Sequence, residues 1–156
     1  MELAALFSPS LQSQIKLFYN MGRILAVDYG NKRTGLAVTD PLRIIASPLA
    51  TVDSQQVVDW IINYTKSESV DRIIVGLPLS MDGSKTDATD AAHHFIRRLR
   101  NLFPELPVEA VDEQYTSKMA EQALREMGLK KKEREKKEHI DQLAAVFILR
   151  RYLGME

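Results

Sequence analysis

An apolar run, Ile24-Leu25-Ala26-Val27, stops on an acid, Asp28, and a second run, Leu36-Ala37-Val38, leads to another, Asp40. Gly30, Asn31, Lys32 and Arg33 lie between them. Two short apolar runs around a turn-forming tetrapeptide leave few choices. The pattern predicts a β-hairpin whose first strand ends on a carboxylate. A carboxylate beside a buried strand is costly unless it is paired or binds a metal. Gly30 has no Cβ, so backbone or phosphate can come close there.

The rest of the chain extends this hairpin into a sheet. Ile44 to Ala46 and Leu49 to Val52 predict a third strand, bent or ended at Pro48. Asp53 or Ser54 can cap a helix over 55–66 whose apolar stripe is Val57, Val58, Ile61 and Ile62. Residues 71–78, DRIIVGLP, read as a strand buried on both faces. A polar loop over 79–87 precedes a helix over about 88–103, with Phe95, Ile96 and Leu99 inward. VEAVDE at 108–113 is the fifth strand. Thr116 or Ser117 starts a helix that Gly128 stops, and a last helix spans about 138–152. Strands joined by short turns pair antiparallel, and strands separated by helices pair parallel. The expected fold is α/β: a mixed five-stranded sheet, three strands antiparallel and the later ones parallel, flanked by helices. Residues 21–156 form one domain. Residues 1–20 are an extension, read as a misassigned start or a short helix.

Composition narrows the function classes. The 156 residues contain no cysteine, so thiolate metal sites and disulfides are excluded. Three histidines, two of them adjacent, give no zinc spacing. No apolar stretch approaches the roughly 20 residues of a membrane span. The formal net charge is zero, so a nucleic-acid partner requires the basic residues to be gathered on one face. The segment 125–137, REMGLKKKEREKK, is the candidate; Lys130, Lys131, Lys132 and Lys137 are its core. A solvated loop explains the same run equally well.

Three acids carry the expected chemistry. Asp28 ends the first strand and Glu113 the fifth, and sites in open α/β sheets lie beyond the carboxyl ends of the strands. Asp141 sits on the apolar side of the last helix, with Ala144, Ala145 and Ile148 at i+3, i+4 and i+7. A helix crossing the sheet would bring it to the same rim. Three converging carboxylates need a cation, and oxygen ligands select magnesium or manganese. The set suits two-metal phosphodiester hydrolysis, with Asp28 bridging and Glu113 and Asp141 each completing one ion. Asp112 falls on the other side of the strand, and Glu138 lies one turn before Asp141. Gly30, Lys32 and Arg33 form a lip for backbone phosphates. Ser80, Ser84 and Lys85 are phosphate-contacting types in the 76–84 loop region, where Gly76 and Gly83 permit close approach. Thr116 and Ser117 could hold an anion at a helix N-terminus, or simply cap it.

AVDYGNKRTGLAVTD, IIVGLPLSMDGS, VEAVDEQYTS and HIDQLAAVFILRRYL together resemble the YqgF family. That family is RNase H-like and is associated with pre-16S rRNA processing and Holliday junction resolution. The match runs from Met21 to Leu153. The resemblance implies an RNase H-like fold, a magnesium-dependent nuclease, cytoplasmic location, and Asp28, Glu113 and Asp141 as the acidic residues. Its expected partners are pre-rRNA or branched DNA and ribosomal particles, with no membrane. A junction resolvase would be a homodimer, and an RNA-trimming enzyme could be a monomer. Two positions depart from the family: Ser80 stands where Asn is common, and Gln114 where Arg is common. Losing that arginine removes a charge partner for the acids. Gln114 and the neutral charge leave room for a non-catalytic RNA- or ribosome-associated module. A sugar-kinase-like phosphotransferase also places Asp-x-Gly after a strand, but such folds need a duplicated domain and a second glycine-rich loop, which this chain lacks.

Overall fold

The computed structural model describes residues 8–19, 21–80, 82–114, 116–134 and 136–155. Five strands form one sheet: β1 Arg23–Tyr29, β2 Arg33–Thr39, β3 Ala46–Asp53, β4 Val70–Leu77 and β5 Val108–Asp112. Their spatial order is β3-β2-β1-β4-β5. β1 pairs antiparallel with β2, and β2 with β3. β4 runs parallel to β1 and to β5. The expected mixed RNase H-like sheet is therefore present, and the C-terminal ends of β1, β4 and β5 share one rim.

Strand alternation divides the side chains into two cores. Leu25, Val27, Leu36, Ile73, Val75 and Val108 pack against α2 Val57–Ser67 and α3 Asp87–Leu102. Ile24, Ala26, Ala37 and Ile74 pack against α6 Lys137–Tyr152. Each fully buried Leu or Ile contributes roughly 1.5–3 kcal/mol. Small residues on the second face, Ala26 and Ala37, let α6 lie close to the sheet. α4 Thr116–Glu126 packs along α6 on its other side. That double contact explains why Ala144, Ala145, Val146, Ile148 and Leu149 are all buried, which is more than one helical stripe.

The same alternation sets where the site lies. Asp28 shares parity with Ile24 and Ala26, Gly76 with Ile74, and Gly35 and Arg33 with Ala37. All project to the α6 face. On the opposite face, Tyr29 stacks on Phe95 with centroids 4.3 Å apart, pinning the end of β1 to α3.

Several local expectations are corrected. Ile44 and Ile45 are not in a strand; they are exposed in the β2–β3 turn. Asp40 Oδ1 accepts both of their backbone N–H groups, at 2.9 and 2.7 Å, and so shapes the turn instead. β3 continues through Pro48, with a register shift opposite it, as an edge strand allows. Neither Asp53 nor Ser54 caps α2, whose N-cap is Gln56. Asp53 Oδ1 accepts from Gln55 N at 2.8 Å, and Ser54 Oγ donates to Gly30 O at 2.6 Å. The basic segment contains a one-turn helix, α5 Lys131–Arg134. Ahead of the sheet, α1 spans Pro9–Tyr19. No helix among the described residues is long and apolar enough to cross a membrane.

Candidate active site

Asp28 occupies the next-to-last position of β1, opposite Gly35 of β2. Glu113 follows β5 directly, and its N–H donates to Leu77 O at 3.2 Å, so the strand pairing fixes its backbone. Glu113 is 9% exposed. Two residues on from Val111, it returns to the α6 face, where it meets Asp28. Gly76 makes the room. A Cβ there would stand 2.3 Å from Glu113 Oε2 and 2.6 Å from Ile148 Cδ1. The close approach expected at Gly76 thus serves a carboxylate of the protein itself.

α6 crosses this rim. Asp141 backbone O would lie 2.0 Å from a Cβ at Gly35, so the helix is seated on the bare glycine of β2. Ile148 reaches Gly76, and Arg151 reaches the end of β5. Ten residues of helix, about 15 Å, therefore span from β2 to β5 and bring Asp141 to the side of Asp28. Asp141 is near enough to Asp28 to raise its pKa.

The electrostatics follow from this convergence. Burial raises the Asp28 pKa and Asp141 raises it further, while a hydrogen bond from Glu113 favours its ionised form. Glu113 is pushed strongly up, first by burial, then by the Asp28 charge and by its side-chain contact with Asp28. Both carboxyls are thus held above their ordinary range by burial and by their nearness to one another. Glu113 Oε2 remains buried with no hydrogen-bond partner. An unpartnered buried carboxylate oxygen next to two further acids is an all-oxygen donor set, of the kind that suits a hard divalent cation. Among the described residues no three acids or histidines stand in ready chelating positions. Asp141 is tied instead to Arg33, whose Nε donates to its Oδ2 at 2.8 Å.

The raised pKa values of these buried carboxyls make stability fall with pH. Unfolded carboxyls release their protons near 3.8 and 4.5, whereas the folded pair holds one well above that. The folded chain then binds more protons than the unfolded one, so this pair's contribution declines as pH rises. Without divalent ions, the melting temperature falls between pH 5 and pH 8 more steeply in the wild type than in Glu113→Gln. A divalent ion stabilises the wild type more at pH 8 than at pH 5. Calorimetric melting of both proteins at both pH values checks this, and equal slopes would mean that Glu113 does not hold a proton in the folded chain.

Other expected site residues fall into place unevenly. Gly30 turns close on its own hairpin: a Cβ would stand 2.4 Å from Arg33 O. Lys32 is exposed, and Arg33 is engaged by Asp141. In the 79–85 loop the Ser80 and Ser84 hydroxyls lie 2.5 Å apart. Ser80 Oγ and Ser84 N both donate to Asp82, holding that acid down at about 2. Both hydroxyls are thus directed into the loop, around an anion; Lys85 is exposed and bridges back to Leu79. Thr116 is buried, and its hydroxyl donates to Glu113 O at 3.0 Å, so it braces the acid's backbone. The side chain of Ser117 lies outside the described residues. Lys130, Lys131, Lys132 and Lys137 are exposed, and Lys137 stands one turn before Asp141. Glu138 is exposed, its backbone O accepting from Thr51. Asp112 Oδ1 accepts from Gln114 N at 2.9 Å.

Two residues were missed as parts of the site. Gln114 Nε2 donates to Ser80 O at 2.8 Å, latching the 79–85 loop to the residue after Glu113. Arg151 donates to Asp112 O at 2.7 Å and Gln114 O at 3.2 Å, bracketing Glu113, and its charge opposes the rise of the Glu113 pKa. The cation that Gln114 does not supply comes from α6. The only signal for Arg151 was its place ten residues after Asp141 on the same helix.

A family model described as "RuvX: Holliday junction resolvase" matches residues 22–155. A protein of Bacteroides fragilis named "Putative pre-16S rRNA nuclease" is 47% identical over 133 residues, covering 85% of this chain and 96% of that one. Proteins of the same name from Phocaeicola vulgatus and Flavobacterium psychrophilum are 48% and 43% identical over the same length, covering 96% and 97% of those proteins. Among solved structures, Thermus thermophilus RuvC in complex with a Holliday junction substrate aligns with a TM-score of 0.51 at 16% identity, over 86% of this chain and 97% of that one. That likeness is one of fold. Sequence relatedness over nearly the whole of each relative is what decides lineage, and by it this chain belongs to the RuvX (YqgF) family.

Proposed function

We propose that this chain is a divalent-metal-dependent nuclease that hydrolyses phosphodiester bonds in structured nucleic acid, with pre-16S rRNA as its substrate. The observation that carries the reading is the convergence of Asp28 and Glu113, two buried carboxyls at one rim, with Glu113 Oε2 unsatisfied and Asp141 beside them. Such a cluster is unfavourable for folding and is the kind of arrangement that functional sites retain. The names of the relatives point to the RNA substrate.

Asp28, Glu113 and Asp141 would hold the metal, magnesium or manganese, Asp28 being central. When bound, the metal supplies Lewis-acid activation of water and charge stabilisation at the phosphorus. Both acids are raised and must be ionised to hold a cation, so loading is favoured at higher pH. Thr116 and Arg151 hold the backbone around Glu113 in register during that exchange. Gln114 keeps the 79–85 loop over the rim. Lys32 and the exposed lysines of the 130–137 segment serve to attract backbone phosphates.

The family description favours a second reading, cleavage of four-way DNA junctions. A labelled precursor rRNA and a labelled four-way junction, each incubated with and without magnesium, separate the two. Magnesium-dependent cutting of the precursor at a defined 5′ position, with the junction intact, is expected. Cutting of the junction alone would transfer the proposal to recombination, and no cutting of either would favour the non-catalytic module.

A further inference from the structure

We propose that Arg33 is a resident counter-ion which competes with the divalent cation for Asp141. The inference rests on the reading of Asp28, Glu113 and Asp141 as a metal site and adds a control to it. Arg33 begins β2 and faces α6. Its Nε donates to Asp141 Oδ2 at 2.8 Å, with both side chains partly exposed, at 39% and 22%.

The role of this arginine could be to position Asp141 or to neutralise it. The packing distinguishes them. Asp141 is held by its own main chain, because α6 rests on Gly35 with the Asp141 carbonyl against the glycine Cα. The acid therefore stays at the rim whether or not Arg33 holds it. What Arg33 supplies is charge. Asp141 is an acid set beside two others, Asp28 and Glu113, and Arg33 is the cation that touches it, at 2.8 Å. Without an ion, Arg33 offsets the repulsion among these acids. With an ion, Arg33 is a positive charge beside a positive charge, and it occupies an oxygen the ion would use. A half-exposed ion pair is weak enough to break. Its guanidinium is also suited to a phosphodiester, which it can grip bidentately. A substrate phosphate would draw Arg33 from Asp141 and so free a ligand for the ion. Cation and substrate then strengthen each other's binding, each displacing or engaging the same side chain.

The test is calorimetric titration of manganese alone into wild type, Arg33→Gln and Arg33→Met, without nucleic acid. The two variants remove the charge in a polar and an apolar way, so loss of folding in one leaves the other. Both should bind manganese about tenfold more tightly than wild type, as expected for removing one nearby cation. Their melting temperatures without divalent ions should be equal to or below that of wild type, and the manganese-induced rise should be larger. A residue that merely positions Asp141 gives the opposite sign, so unchanged or weaker manganese binding in the folded variants overturns the proposal. If wild type binds manganese and cleaves but the variants bind no tighter, Arg33 alone is reassigned. If wild type neither binds manganese nor cleaves, the nuclease reading falls, and this proposal with it.

Discussion

Asp28→Asn should abolish cleavage and at the same time make the protein more stable. The first half follows from the place of Asp28 at the centre of the acids, hydrogen-bonded to Glu113 and facing Asp141. If Asp28 holds the metal as proposed, removing it forfeits several kcal/mol of transition-state stabilisation, so the rate should fall on the order of 10³-fold. The second half follows from the burial that raises the Asp28 pKa. Asparagine has the same shape, carries no charge, and can donate its amide to Glu113. Relief of the buried charge should raise stability at pH 8 without divalent ions by on the order of 1 kcal/mol, or about 3 °C for a chain of this length. Manganese, which should stabilise the wild type, should leave the variant's melting unchanged.

The two halves must appear together to support the account. A variant that cleaves at the wild-type rate with magnesium removes Asp28 from the chemistry. A variant that is inactive and less stable makes Asp28 a folding residue, and its inactivity then carries no mechanistic weight. Melting and cleavage measured on the same preparation separate these outcomes.

How far the site could be read in advance depended on which physical rule governed each residue. Asp28 and Glu113 were legible because strand alternation and the strand-end rule act locally, and both residues obey them. Asp141 was legible because an acid among Ala144, Ala145 and Ile148 demands a partner. The identity of that partner was not, since Arg33 reaches Asp141 only across two packed elements more than a hundred residues apart in sequence. The same holds for Arg151, whose bonds go to backbone carbonyls, which no side-chain pattern marks. The 79–85 loop had the composition of a phosphate loop, but Asp82 lies at its centre and both serines turn to it. Ile44 and Ile45 had strand propensity, and Asp40 overrode it with two backbone hydrogen bonds. Elements set by periodicity were predictable; contacts set by the approach of one element to another were not.

Gly35 is the sharpest instance of the second kind. It reads as an interruption between Thr34 and Leu36, with no sign that anything rests on it. Gly35→Ala would place a Cβ 2.0 Å from the Asp141 carbonyl oxygen and 2.4 Å from its carbon, both main-chain atoms that cannot rotate away. α6 or β2 must move by more than an ångström. Overpacking of this sort costs about 1–3 kcal/mol, and more where backbone meets backbone. A loss near 3 kcal/mol lowers the melting temperature by about 10 °C in a chain of this size. The functional effect should exceed the structural one. At a temperature where the variant is fully folded, Asp141 is displaced from Asp28 by the same shift, and misplacement of about 1 Å can cost 10²-fold in rate. Manganese affinity should fall with it. If α6 is seated as described, Gly35→Ala will be folded, poorly loaded with manganese and slow. Alanine at this position with wild-type melting and wild-type cleavage would mean that α6 does not rest on β2, and that Asp141 reaches the rim by another path.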